Sequence, residues 1–91
     1  MKIRIAEDVV WREVAGEVVI LNIVTGIYFG LEGAGSEMWR KLAENGSVDK
    51  ALEVLEREFD ASPADLRRDL EALVQQLTDK NLLELLPDQA A

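Results

Sequence analysis

Residues Glu17 to Trp39, EVVILNIVTGIYFGLEGAGSEMW, change their hydrophobic period part-way along. That change confines the chain to few folds. The run Val18 to Ile23 has the two-residue period of a strand, Val24-Thr25-Gly26 reads as a tight turn, and Ile27-Tyr28-Phe29 resumes the strand. Gly30 to Gly35 then carries the chain into helical spacing at Met38, Trp39 and Leu42. A short sheet ending in an apolar strand and followed directly by helices offers an open edge to a peptide.

The flanking sequence extends both patterns. Val9 to Val14 alternates as a further strand, and Ala15-Gly16 fits a two-residue turn into Val18–Ile23. That second strand is apolar on both faces apart from Asn22, which predicts a central strand covered on both sides. Ile27 to Leu31 then lies at one edge. Three helices follow. The first stops near Asn45-Gly46. The second starts at Ser47 as N-cap and puts Val48, Ala51, Leu52, Leu55 and Phe59 on one face. The third has Ser62 as N-cap, Pro63 in the first helical position and Asp65 in the capping-box position, with Leu66, Leu70, Leu73, Val74 and Leu77 on its apolar face. Leu82 to Leu86 reads as a short extended segment, and Pro87 to Ala91 as a frayed tail. Strands first and helices afterwards predict one α+β domain over 1–91, and this order matches a winged helix-turn-helix: an N-terminal three-stranded antiparallel sheet followed by three helices.

Composition excludes several classes of function. The chain has no Cys and no His, which removes disulfides, thiolate catalysis, zinc-finger ligation and imidazole acid–base chemistry. Its eighteen carboxylates have no nucleophile or metal-ligand set beside them, so no catalytic residue, cofactor or metal site is expected. Gly30, Gly33 and Gly35 lack the spacing of a dinucleotide fingerprint, and no Lys-Ser/Thr follows them. A net charge of −8 opposes nucleic acid, and Arg67 and Arg68 on the third helix are interleaved with Asp65, Asp69 and Glu71. No apolar run approaches a membrane span, and the N-terminus is not a signal peptide, so a cytoplasmic location is expected.

Two features are left as candidates. Tyr28 and Phe29 point to opposite faces of their strand, and the series Ile27, Phe29, Leu31 makes Phe29 the core residue. Arg67 and Val74 lie two turns apart on the third helix, beside its apolar face. They either widen the core stripe and its solvated margin or line a groove against the edge strand.

An ordered series of segments then resembles the PqqD-like proteins. It runs from Val18-Val19-Ile20-Leu21-Asn22 and Thr25-Gly26-Ile27-Tyr28-Phe29-Gly30-Leu31-Glu32 through Gly35-Ser36-Glu37-Met38-Trp39 and the helix led by Ser47. It continues through Glu58-Phe59-Asp60 and Asp69-Leu70-Glu71-Ala72-Leu73 to Asn81-Leu82-Leu83. The resemblance covers about residues 8 to 86. It implies a non-catalytic recognition element that binds the leader of a ribosomally made precursor peptide and presents it to processing enzymes. The Thr25-Gly26-x-Tyr28-x-x-Leu31 run resembles more closely the standalone proteins of lasso-peptide pathways, whose partners are a transglutaminase-like leader peptidase and a macrocyclase. The resemblance also implies that the leader adds as a strand to the edge Thr25, Gly26, Ile27, Tyr28, Phe29, Gly30 and Leu31. The helical wall would then be drawn from Arg67, Leu70, Glu71, Val74 and Thr78. Two alternatives accompany it: a leader-binding partner of a radical-SAM enzyme, and an acidic winged-helix module for regulatory protein contacts.

Overall fold

Alternation and helical spacing translate into eight elements in the computed structural model, which describes residues 1–87. These are β1 (Lys2–Ile5), β2 (Val9–Val14), β3 (Glu17–Asn22), β4 (Tyr28–Leu31), α1 (Ala34–Asn45), α2 (Val48–Glu58), α3 (Pro63–Asp79) and β5 (Leu83–Leu86). The fold is α+β, with the antiparallel sheet β2-β3-β4 on the N-terminal side of three helices. Residues 88–91 of the expected tail lie outside the described residues.

One element departs from expectation. β1 precedes the three-stranded sheet and pairs antiparallel with β5 as a separate two-stranded sheet, from Lys2 opposite Leu86 to Ile5 opposite Leu83. Ile3 is buried by this pairing, and its N–H donates to the carbonyl of Gly46 at 3.1 Å, which ties β1 to the α1–α2 turn.

The β2–β3 turn is the expected two-residue one. Ala15 and Gly16 both have positive φ, 54° and 84°, the backbone that matches the twist of a hairpin. Alanine is strained there, whereas asparagine tolerates the left-handed region. Ala15→Asn is therefore expected to raise stability by about 0.5–1 kcal/mol, read as a higher urea midpoint at unchanged slope.

The helices start and stop where the sequence places them. The amide of Gly46, at φ 64°, donates to the Leu42 carbonyl and closes α1. The Ser47 hydroxyl accepts from the amide of Lys50 at the start of α2. Ser62 caps α3 through its carbonyl, which accepts from Leu66; its side chain makes no cap bond. Pro63 opens that helix without loss of a hydrogen bond.

The core lies between the helices and one face of the sheet. Val18 and Ile20 from β3, Trp39 and Leu42 from α1, Leu55 from α2, and Leu70 and Leu77 from α3 are fully enclosed. Trp11 packs on the core at one edge and meets solvent at the other. It stands edge-on to Trp39, with ring centroids 5.8 Å apart, and remains partly exposed. The expectation that β3 is covered on both sides holds for one side only. Val18, Ile20 and Asn22 are buried beneath the helices, whereas Val19 and Leu21 on the other face are only half-buried. Helices that all pack on one face leave the opposite face of the sheet open, whatever its composition.

Candidate functional site

β4 is an edge strand, and its register determines what that edge offers. Ile20 pairs with Phe29 and Leu21 with Tyr28. The amide of Asn22 donates to the carbonyl of Ile27 at 2.9 Å. Opposed residues in an antiparallel ladder alternate between bonded and non-bonded pairs. Ile27, Phe29 and Leu31 therefore direct their backbone groups at β3, while Tyr28 and Gly30 direct theirs outward. The free edge consists of the N–H and C=O groups of these two residues.

Thr25, Gly26 and Ile27 belong to the loop that leads into this edge. Asn22, 6% exposed, organises it. Its side-chain oxygen accepts from the amides of Val24 and Thr25 at 2.9 and 3.0 Å, and its carbonyl accepts from Gly26 at 2.9 Å. Gly26 has φ 77°, which turns the chain back. The amide of Ile27 donates to the hydroxyl of Thr25 at 3.2 Å. All three expected edge residues thus have their N–H groups engaged inside the loop. The Asn22 amide also donates to the carbonyl of Asn81 at 3.4 Å, which fastens the loop to the end of α3.

The side chains of β4 divide between two faces. Phe29 and Leu31 point toward the helices and are half-buried. Tyr28 lies on the open face and is 72% exposed.

The expected helical wall is divided. Leu70 is fully buried in the core. Arg67 turns toward α2, where it lies 3.6 Å from Asp49 and 3.5 Å from Glu71. Asp49 also pairs with the Met1 ammonium; that group first, and Arg67 after it, holds the Asp49 carboxyl below its ordinary range. Glu71 and Val74 line a small cleft of about 110 Å³ with Met1, Val48, Gln75 and Leu85. The Thr78 hydroxyl donates back to the carbonyls of Val74 and Gln75 at 2.8 and 3.0 Å. Arg67, Glu71 and Val74 therefore share the flank of α3 that meets α2 and β5. The other flank reaches β4. The Lys80 ammonium stands 5.8 Å from the centre of the Phe29 ring, and helical spacing puts Gln76 and Leu73 on the same side. Lys80 is absent from the sequence-derived set. Lys80 and the half-buried Phe29 thus mark where this flank of α3 approaches β4.

Among the described residues no group of carboxylates is placed to hold a metal ion, and no helix is long and apolar enough to cross a membrane. What the arrangement can do is pair with an extended backbone and take alternate side chains from it.

Residues 17–83 match the family model described as coenzyme PQQ synthesis protein D (PqqD). Among solved structures, the chain is similar to TbiB1 in complex with the TbiA(beta) leader peptide, at 33% identity and a TM-score of 0.84, covering 93% of this chain and 99% of that one. It also shares the fold of a lasso peptide synthetase B1 complexed with its leader peptide, at 18% identity and a TM-score of 0.77, covering 93% of this chain and 100% of that one. No curated protein matches the chain.

Proposed function

The chain belongs to the PqqD family, and from that premise we propose that it is a non-catalytic binder of the leader segment of a ribosomally made precursor peptide, acting in lasso-peptide biosynthesis. The observation that carries this reading is the unpaired edge at Tyr28 and Gly30, set beside the Phe29–Lys80 flank of α3, in a fold that superposes on two leader-peptide complexes. The leader adds to β4 as a fourth strand of β2-β3-β4. Main-chain bonds to Tyr28 and Gly30 hold it with little regard to sequence, and the apolar side chains of Phe29 and Leu31 on the helix side of β4 select alternate side chains. Each apolar side chain buried there contributes about 1.5–3 kcal/mol. Two or three reach roughly micromolar to nanomolar affinity after the cost of ordering a flexible peptide.

The charge balance refines which leaders fit. Arg67 and Arg68 are engaged by Asp49, Glu71, Asp65 and Asp69, so they offer little to an anionic peptide. Lys80 is the cation beside Phe29. The bound leader is presented to a transglutaminase-like peptidase and then to a macrocyclase, and the protein works in the cytoplasm.

Calorimetric titration with the TbiA(beta) leader, and with the leader of the precursor encoded beside this chain, tests the reading. Saturable binding at micromolar or tighter affinity is the expected result. No saturation by either peptide at several hundred micromolar counts against it.

A further inference from the structure

The glycine at position 30 has no explanation within the folded chain. Its φ is not positive, it stands in the middle of an edge strand, and a Cβ built on it meets nothing within 4 Å. Glycine weakens a strand, and where neither turn nor packing calls for it, it marks a place that another group approaches closely.

The surroundings indicate where that group comes from. Gly30 faces the open side of the sheet with Tyr28. Its partner on β3 is Val19, and Val19 in turn pairs with Arg12. A depression of about 310 Å³ on this side is lined by Val19 and Leu21 from β3 and by Val10, Trp11, Arg12 and Val14 from β2. Val10 and Val14 are each about half exposed. Gly30, with open space where its Cβ would be, thus stands between Val19 of this depression and the free edge of β4.

Resting on strand addition to β4, we infer that the open face of the sheet is a second reading surface for the same peptide. Directly opposed residues on neighbouring strands point to the same face. The peptide residue opposite Gly30 therefore projects away from the helices, over Gly30 and onto Val19, with the Tyr28 ring beside it. The site takes a large apolar side chain, because Val19 and Leu21 form its floor and the absent side chain at position 30 provides its room. Half of the added strand then faces the helices with Phe29 and Leu31, and the other half is read by this face.

The test uses a phage-displayed library built on the TbiA(beta) leader, selected separately on the wild-type protein and on Gly30→Val. Valine favours strands and enters open space here, so the thermal midpoint of the variant stays level or rises. It stands perpendicular to the sheet and leaves the edge N–H and C=O groups accessible. Wild type is expected to select a bulky apolar residue at one outward position, and Gly30→Val to select Gly, Ala or Ser at that position. Peptides selected on wild type should bind Gly30→Val at least tenfold more weakly. Identical preferences and equal affinities, with binding still lost in Tyr28→Pro, overturn this inference and leave strand addition standing. Binding that survives Tyr28→Pro overturns strand addition and this inference with it. A wild-type dimer in sedimentation that Gly30→Val dissociates assigns the face to a second copy of the chain and also overturns the inference.

Discussion

Tyr28→Pro is expected to weaken leader binding by about 100-fold while the protein stays folded. The prediction follows from the ladder. The Tyr28 amide points away from β3, so replacing it with a proline nitrogen removes no bond within the protein. Proline is tolerated in edge strands for this reason. What is lost is a donor to the incoming strand, about 1 kcal/mol net, together with room for that strand against the pyrrolidine ring. Tyr28→Ala separates the two contributions of this residue, since it keeps the N–H and removes only the ring, and it should lose much less. Calorimetry on both variants, with circular dichroism to confirm the fold, makes the comparison. Equal losses in the two would mean that the phenol, rather than the backbone, carries the contact.

Asn22→Leu is expected to cost about 3 kcal/mol of stability, or about 10 °C or more in thermal midpoint for a domain of this size. The buried Asn22 side chain makes three bonds: it accepts from Val24 and Thr25 and donates to Asn81. Leucine fills similar space and leaves all three partners unmet. Asn22→Asp keeps both acceptors and forfeits only the bond to Asn81, so it should lose less. Thermal denaturation of the two variants reads the difference. Leader affinity should fall in Asn22→Leu as well, because the loop that Asn22 holds sets the start of β4. A midpoint within 2–3 °C of wild type in Asn22→Leu would show that water replaces these bonds without penalty.

Much of this architecture was legible in the sequence because it depends on local signals. Ala15-Gly16, Asn45-Gly46, Ser47 and Pro63 each act within a turn of chain, and they placed the hairpin and the helix ends. The apolar rows of α2 and α3 followed from helical period alone. β1 was not legible. Ile3 and Ile5 sit among Lys2, Arg4 and Glu7, too short a pattern to announce a strand, and their partner is at the far end of the chain. That gap carried through to the site. With β1 unseen, nothing indicated that the flank of α3 bearing Arg67, Glu71 and Val74 faces α2, β5 and Met1 across a small cleft. The Leu73–Gln76–Lys80 row is just as regular in sequence; only the tertiary placement of β1 and β5 distinguishes the two. Asn22 was visible as a polar interruption in an apolar strand, but its role as the anchor of a loop depends on Asn81, also distant in sequence.

The β1–β5 ladder bears on the order in which the molecule is made. Its pairs join residues about 80 apart, as in the Arg4–Glu84 contact. The contacts that define the β4 edge all fall within residues 18–31. Closing a long loop has to wait until the intervening chain is compact, whereas a hairpin closes early. As the chain leaves the ribosome, the edge is therefore expected to take shape while Ile3 and Ile5 still lack their partners. The ladder acts as a late clasp, engaging only once β5 has emerged, so the β4 edge matures before the pairing that joins β1 to β5.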